Sequence, residues 1–502
     1  MFDWFDTFNW GLLHWRVLVP WLLAMAFGIF VGATPGLTAT MAVALIVPIT
    51  FYIPDPNTSL AMILGVSFTA IFAGDLPATY LRIPGTPASA AATLDSHQLA
   101  KQGRGREVVL LDLICSCLGG LFSVLALIWL APQLARWGLK FSNYEYFWLA
   151  ILGLSMSAVV SIGVVSKGLM AAALGLLLAT VGIDIISGQQ RFTLGYDELM
   201  DGVNFIPVMI GLFGMSEVFR NFLQPQTFEK AARVIDQIPR TLQLWLTVWR
   251  YKFLVLRSSV LGTLVGALPG AGADIAAWAA YGLAQRTSKN GDKFGTGEIE
   301  GVVAPTSANN AAVGGAWIPA LVFGIPGDAV TAIVLGAMIM YDIKPGPLIF
   351  QESPQKMHDL FSIALITQFL LLLCGWVGIR AFGYIVKLPR AIVMGGVIVF
   401  SVVGAYAIRN SVFDIWIMLV FGIVGVFFER RRIPLPPLIL GLILGPMLEE
   451  NLRTGLIKSG GDWTPFFIRP VCVVLIAILA LGAIAPAVIS RFFTSRPKDQ
   501  SP

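Results

Sequence analysis

Three aspartates interrupt otherwise apolar stretches of the sequence close to Pro-Gly pairs. They are Asp75, Asp274 and Asp328, and Asp328 comes directly after Pro326-Gly327. A carboxylate is costly to bury in apolar surroundings, so these residues predict a functional role, here the binding of a coupling ion. The alternative is that they cap helix N-termini in hydrated turns, and for Asp328 this alternative is equally well supported.

Uncharged oxygen atoms accompany these carboxylates in two motifs rich in small and hydroxyl residues. The motifs are GDLPATYLRIPGTPAS at residues 74–89 and PTSANNAAVGGAWIPALVFGIPGDAVTA at residues 305–332. Side-chain oxygens and unwound backbone carbonyls suit a hard cation such as sodium. We expect Ser307, Asn309 and Asn310 to join the aspartates as coupling-ion ligands. The alternative is that these residues form packing contacts between helices.

Proline and glycine in the same motifs predict broken helices whose free amide groups can bind a carboxylate anion. Arg82 has no basic counterpart in the second motif, where Gly324 takes its place. Its planar guanidinium suits a substrate carboxylate, but pairing with Asp75 or extension toward the membrane interface are the alternatives. The predicted substrate-binding residues are Thr34, Pro35, Gly36, Thr38, Arg82, Pro84, Gly85, Thr86, Pro269, Gly270, Gly272, Pro326 and Gly327.

The chain contains an internal repeat. GATPGLTA at residues 32–39 and GALPGAGA at residues 266–273 share five of eight positions at an offset of 234 residues. Farther along, the Pro-Ala and Ile-Pro-Gly elements of 77–85 recur with the same internal spacing at 319–327, an offset of 242. Two matches in the same order predict two related halves. The alternative is that Pro-Gly pairs are simply common in membrane turns.

Composition places these motifs in a membrane. The 502 residues are 56% hydrophobic and only 13% charged, and the mean hydropathy is +0.78, which excludes a water-soluble fold. We predict an all-α polytopic membrane protein with roughly 12 to 14 transmembrane or re-entrant helical segments. Clear segments are 108–131, 146–165, 168–186, 204–222, 360–379, 391–408, 413–428 and 467–489.

Loop charges predict that the two repeats have inverted topology. The loop after the first Ile-Pro-Gly element is basic and its counterpart is mixed, whereas the loop after the first Pro-Gly break is acidic and its counterpart is basic. The net charge of +5 is explained by such loops, not by nucleic-acid binding. The predicted organisation is an interfacial segment (1–16), a first repeat (17–222), a cytoplasmic linker (223–252), a second repeat (253–448) and a final periplasmic loop, helix and cytoplasmic tail (449–502). A re-entrant hairpin is expected at Thr34-Pro35-Gly36, with an ordinary turn as the alternative.

Long motifs along almost the whole chain resemble the tripartite tricarboxylate transporter family, in its large TctA-type membrane subunit. They include GATPGLTATMAVALIVPITF, RFTLGYDELMDGVNFIPVMIGLFGMSEVF, EGVVAPTSANNAAVGGAWIPALVFGIPGD and LGPMLEENLRTGLIKSGGDWTPFFIRP. The resemblance implies a bacterial inner-membrane permease. It also implies a small TctB-type membrane subunit and a periplasmic TctC-type binding protein as partners. Citrate-like carboxylates and an ion gradient are the expected substrate and energy source.

Other classes of function are less well supported by the sequence. The chain has no GxxxxGK[ST] nucleotide loop, no HExxH pair and no paired cysteine spacing for zinc. Its histidines, His14, His97 and His358, fall in the N-terminal segment or in predicted loops, so we expect no enzymatic activity. No cofactor is expected apart from a sodium ion or proton as coupling ion. The alternatives to a secondary transporter are a passive carboxylate channel and, with much less support from the sequence, an intramembrane enzyme.

Overall fold

A computed structural model describes residues 9–160, 165–184, 186–223 and 241–493. Part of the predicted interfacial segment (1–8), part of the predicted linker (224–240) and most of the tail lie outside the described residues. Within these ranges the chain is almost entirely helical, and seven helical segments have the length and apolar composition needed to cross a membrane. The prediction of an all-α polytopic membrane protein is confirmed.

The helices follow one another with few long connections. The first eleven are α1 Trp15–Gly32, α2 Ala39–Thr50, α3 Pro56–Ala73, α4 Asp75–Leu81, α5 Ala90–Leu99, α6 Gly105–Gly138, α7 Asn143–Val160, α8 Val165–Ala179, α9 Phe205–Met209, α10 Ser216–Leu223 and α11 Thr241–Arg250. The remaining ones are α12 Lys252–Gly266, α13 Gly272–Thr287, α14 Glu300–Phe323, α15 Ala329–Met340, α16 Ile349–Glu352, α17 Pro354–Ile385, α18 Arg390–Arg409, α19 Val412–Arg430, α20 Pro436–Lys458, α21 Thr464–Ile468 and α22 Pro470–Phe493. Two-residue strands, β1 Gly182–Ile183 and β2 Gln190–Arg191, pair antiparallel.

Contacts divide the chain into two compact units. The first unit comprises residues 1–139 and 204–435, and therefore draws on both predicted repeats. The second comprises residues 140–203 and 436–502. The repeat boundaries themselves stay a prediction.

Two helix pairs in the first unit repeat the same contact. A Cβ at Gly32 of α1 would collide with the carbonyl oxygen of Ala70 in α3, and a Cβ at Gly266 of α12 would collide with that of Ala312 in α14. Gly32 and Gly266 are 234 residues apart, and Ala70 and Ala312 are 242 residues apart. These are the offsets of the internal repeat. Small residues allow helix backbones to approach this closely, which is how apolar helices associate in lipid. The repeated motifs thus encode the same helix packing twice.

Two long helices of the first unit, α6 and α17, each pack against a helix from the other half of the chain. Helix α6 follows the first Ile-Pro-Gly element but packs on α14, while α17 follows the second element and packs on α3. The two halves are therefore intertwined, which explains why both belong to one unit. Their opposite orientation in the membrane stays a prediction.

The second unit is built on α20, which packs against α7 and α8. The predicted segment 168–186 is helical only to Ala179, and the chain then enters the short β hairpin. Arg191 binds Glu449 through two hydrogen bonds of 2.7 and 3.1 Å, and Arg453 binds Asp184 at 2.7 Å. In this loop the guanidinium of Arg453, with nearby backbone amides, holds the pKa of Asp184 well below its usual range.

The close helix contacts predict that Gly32→Ala and Gly266→Ala each destabilise the fold. The added methyl group meets backbone, which cannot rotate away, so we expect a loss on the order of 1–3 kcal/mol. Thermal unfolding of the purified protein in detergent measures the effect. Gly396→Ala in α18 is the control, because its Cβ would have nothing within 4 Å. Equal midpoints for all three variants would disprove the predicted close approach.

Candidate functional site

Four turns interrupt helices in the first unit, two in each half. We name them the TPG turn (33–38), the LPG turn (267–271), the first IPG turn (82–86) and the second IPG turn (324–328). The first IPG turn packs against the end of α1, which leads into the TPG turn. The second packs in the same way against the end of α12, which leads into the LPG turn. A Cβ at Gly85 would collide with the carbonyl oxygen of Gly32, and one at Gly327 with that of Gly266. In each half, one predicted substrate-binding glycine, Gly85 or Gly327, thus lies directly against the end of the preceding helix.

The two IPG turns have the same backbone conformation. Arg82 and Gly324 occupy equivalent positions and both adopt the left-handed region, with φ of 58° and 70°. The amide of the following isoleucine then donates to the carbonyl of Pro77 in the first turn and of Pro319 in the second, at 3.4 and 3.3 Å. The left-handed conformation is natural for glycine but uncommon for other residues, so Arg82 is held in a strained backbone geometry.

Equivalent polar residues end both IPG turns and cap the helices that follow. Asp328 accepts hydrogen bonds from the amide and hydroxyl of Thr331 at 2.8 and 2.7 Å, which caps α15. In the first turn, the Thr86 hydroxyl lies 2.9 Å from the Ser89 hydroxyl, and the Thr86 amide donates to Ser89 Oγ at 3.2 Å. Asp328 therefore forms the capping contacts that were the alternative to ion binding.

The TPG and LPG turns also lead into helix N-termini. Thr38 caps α2 by accepting a hydrogen bond from the Met41 amide at 3.1 Å. Helix α13 begins at Gly272 without a side-chain cap, and Asp274 lies in its first turn. A Cβ at Gly272 would lie 2.8 Å from Asp274 Oδ1 and 3.7 Å from the Asp328 Cβ, so both aspartates border the same turn. Helix N-termini carry partial positive charge, which suits carboxylate anions.

Two other predicted ligands make local contacts. The Thr34 hydroxyl donates to the Phe30 carbonyl at 2.7 Å, a hydrogen bond within its own helical turn. Arg82 is exposed, and in the described part of the chain it forms no salt bridge with the buried Asp75. The predicted alternative of an Arg82–Asp75 pair is therefore not found, which leaves the guanidinium accessible to a solute.

The remaining predicted coupling-ion residues lie together in the interior. Asp75 begins α4, and the amide of Asn309 in α14 donates to its Oδ2 at 3.3 Å. The Asn309 Oδ1 in turn accepts a hydrogen bond from the Asn310 backbone amide at 2.6 Å. Ser307 lies in the same turn of α14, and its hydroxyl donates to the Val303 carbonyl at 2.8 Å. All these side chains except Asp75 are fully buried, and Asp75 is 2% exposed.

The structure adds residues that the sequence analysis missed. Asp112 and Ser116 of α6, Thr306 of α14 and Gln368 of α17 are buried in the same region of the fold. Ser116 Oγ lies 3.5 Å from Asp112 Oδ1 and 3.4 Å from the Thr306 carbonyl oxygen. Asp112 carried a signal, because it is a carboxylate inside the predicted segment 108–131. It was overlooked because no Pro-Gly pair lies near it.

A third buried aspartate links the halves. Asp95 of α5 accepts hydrogen bonds at Oδ1 from the backbone amides of Gly295, Gly297 and Glu298, each at 2.8 Å. Its Oδ2 accepts a hydrogen bond from the Tyr281 hydroxyl at 2.9 Å. The carboxylate thus anchors the segment that leads into α14, the helix that carries Asn309.

Comparison with known proteins identifies the family. The model of the tripartite tricarboxylate transporter TctA family matches residues 18–440. The chain belongs to the TctA family. It is 35% identical over 486 residues to an uncharacterized 52.8 kDa protein in the TAR-I ttuC' 3' region of Agrobacterium vitis, with 96% of this chain and 95% of that protein covered.

A second relative from the same organism is an uncharacterized protein in the TAR-II ttuC' 3' region. It is 36% identical over 233 residues, which cover 46% of this TctA-family chain and 96% of the relative. No solved structure matches the chain. The family match includes all four turns and the buried polar residues, and it identifies a multi-pass membrane subunit of a tripartite transporter system.

The anchoring by Asp95 predicts that Asp95→Asn destabilises this TctA-family protein. The amide cannot replace a carboxylate that accepts several N–H groups, and hydrogen bonds to a charged group contribute about 1.5–3 kcal/mol. We expect a lower thermal midpoint and faster proteolysis within residues 291–299. Asp292→Asn, at an exposed aspartate of the same loop, serves as control. Unchanged proteolysis in Asp95→Asn would show that the loop is held by other contacts.

Proposed function

We propose that this chain is the permease subunit of a binding-protein-dependent secondary transporter that imports small organic di- and tricarboxylates, such as citrate-like anions. The observation that carries the proposal is the pair of matching turn sets in a TctA-family chain. Each set combines a broken helix, an IPG turn and helix N-termini. This arrangement is typical of secondary transporters that bind anions at interrupted helices.

The geometry supports a carboxylate as substrate. Helices α2 and α13 begin at the TPG and LPG turns, and α15 begins at the second IPG turn. Their N-termini offer amide donors and partial positive charge to anionic groups. Arg82 adds a full positive charge at the first IPG turn. A solute with two or three carboxylates can engage several of these groups at once, near the membrane midplane in an alternating-access cycle.

The proposal includes the partners and the cell compartment. A TctC-type periplasmic protein would deliver the carboxylate, and a TctB-type small membrane subunit would complete the permease in the bacterial inner membrane. The basic tail, with Arg491, Arg496 and Lys498, favours a cytoplasmic C-terminus. A sodium or proton gradient would drive import, because the sequence carries no nucleotide-binding loop of the GxxxxGK[ST] type.

Uptake by proteoliposomes tests the proposed function. The vesicles contain this chain and the small membrane subunit, and they are offered a panel of labelled di- and tricarboxylates with and without binding protein. We expect accumulation against the concentration gradient that requires the binding protein and one imposed gradient, of sodium or of protons. Equilibration that ignores both the binding protein and the gradients would identify a passive channel instead.

Replacement of Arg82 tests its contact with the substrate. Arg82→Gly copies the residue at the equivalent Gly324, so the left-handed turn is kept without strain while the guanidinium is removed. Loss of one charge-assisted hydrogen bond, about 1.5–3 kcal/mol, predicts at least a roughly tenfold rise in the apparent KM. The thermal midpoint should not fall. Lys101→Ala, at an exposed base of the same half, should leave KM unchanged, and equal KM values for both variants would remove Arg82 from the site.

A further inference from the structure

Two carboxyl groups face each other in the interior of the first unit. Asp75 lies on α4 and Asp112 on α6, two helices that pack against each other, and their carboxyl groups are close enough to share a hydrogen bond. They are 2% and 1% exposed, so bulk water does not screen them. Two ionised carboxylates in contact repel strongly in such surroundings, and one of them must be neutralised. A group that neutralises one of the two carboxylates must therefore be present in the folded protein.

Among the described residues, no basic side chain neutralises the pair. Within the described ranges, no salt bridge includes Asp75 or Asp112. Helix α4 packs against α3, α5 and α6, and α6 also packs against α11, α12, α14 and α17. Titratable residues on these helices include Asp95, His97, Arg106, Glu107, Cys115, Cys117, Arg250, Arg257, Glu300, Asp359 and Arg380.

These groups have other surroundings or partners. His97 lies 3.0 Å from the Thr79 carbonyl, and Arg257 binds the Thr287 hydroxyl at 2.7 Å. Glu300 lies more than two turns along α14 from Asn309, which contacts Asp75. Asp359 accepts hydrogen bonds from Asn57 and Gln355, and the Arg380 guanidinium lies over the Trp376 ring. Cys115 is a neutral thiol on α6 itself. None of them supplies a positive charge to Asp75 or Asp112 within the described structure.

Each of the two carboxyl groups has one oxygen atom without a hydrogen-bond donor among the described residues. Among the described residues, no N–H or hydroxyl group donates to Asp75 Oδ1 or to Asp112 Oδ2. Both amide atoms of the fully buried Gln368 are also without hydrogen-bond partners. Buried polar atoms in folded proteins almost always have partners. The unpartnered oxygens of two adjoining buried carboxyl groups indicate that a positively charged ligand binds there in the functional protein.

The Gln368 amide packs against the helix face that carries Asp112, but eight residues farther along α6, or about 12 Å away. Residues Asp112, Ser116 and Gly120 follow one another at intervals of four, so they lie on one face of α6. A Cβ at Gly120 would collide with Gln368 Oε1, which places that oxygen directly against this face. The Cys117 thiol also donates to the Gln368 carbonyl at 3.1 Å and fixes the register of the two helices.

We propose that the coupling ion is a proton and that Asp75 and Asp112 bind it by sharing it between their carboxyl groups. One carboxyl group carries the proton and donates a hydrogen bond to an oxygen of the other carboxylate. The Asn309 amide donates a second hydrogen bond, to Asp75 Oδ2. Proton uptake from one side of the membrane and release to the other changes the charge of the pair by one. The assignment rests on the proposed transport function and names its coupling ion and its ligands.

The position of the pair suggests how proton binding reaches the substrate turns. Asp75 is the first residue of α4, which ends at the first IPG turn. Asn309 belongs to α14, which ends at the second IPG turn. A change in the charge of the pair therefore acts on both helices that lead into the IPG turns. This arrangement connects proton occupancy to both halves of the candidate substrate site.

Infrared spectroscopy of the purified protein tests the shared proton without any transport. The wild type at neutral pH should show the carbonyl stretch of a protonated carboxyl group. Asp112→Asn and Asp75→Asn should each abolish it, whereas the control Asp359→Asn, at a carboxylate that accepts amide hydrogen bonds from Asn57 and Gln355, should retain it. Absence of this band in the wild type overturns the proposal, even if neither variant folds.

Transport assays then separate the coupling site from the proposed function. In proteoliposomes, Asp112→Asn should lose accumulation driven by a proton gradient but keep exchange of labelled for unlabelled carboxylate. Accumulation by the wild type under a sodium gradient at equal pH, with sodium dependence altered in Asp112→Asn, overturns the assignment of a proton. A protonated-carboxyl band in a protein that moves no carboxylate supports the proton site and refutes the proposed substrate.

Discussion

Backbone groups at membrane depth must find hydrogen-bond partners within the protein, and the broken helices of this chain depend on that requirement. Backbone groups at the helix breaks donate hydrogen bonds to, and accept them from, one another. The Gly270 amide donates to the Gly327 carbonyl at 2.7 Å, and the Gly85 amide donates to the Gly74 carbonyl at 3.0 Å. Because glycine occupies each point of closest approach, the backbones can come near enough to make these bonds. The positions of the four turns, and of the helices that carry them, follow from this contact.

The same constraint explains why the two halves are intertwined. Each broken helix presents small residues along its length, and such a surface is best covered by another helix at short distance. Helix α6 covers α14, where a Cβ at Gly119 would collide with the Ser307 carbonyl. The packing of α6 and α17 across the halves places the polar residues of α14, and Gln368 of α17, against the helix that carries Asp112. A polar centre at this position is therefore a consequence of how the halves pack.

Much of the candidate site could be predicted from the sequence because its signals are local. Proline, glycine and polar residues at fixed spacing marked all four turns, and the repeat offsets of 234 and 242 residues reappear in the packing of α1 on α3 and of α12 on α14. Thr86 and Asp328 were noted for other roles, yet both end an IPG turn. The role of Asp328 as a helix cap could be stated only as an alternative, since capping and ion binding use the same carboxylate.

The sequence by itself determined that this is an all-α membrane protein of the TctA family, where its helices break, and which residues recur in its halves. These properties depend on hydropathy and on backbone restrictions that act within a few residues. Only the tertiary structure decided which buried polar residues meet. Asp75, Asp112 and Asn309 lie on three separate helices, and their contacts depend on how those helices pack, which no local pattern records.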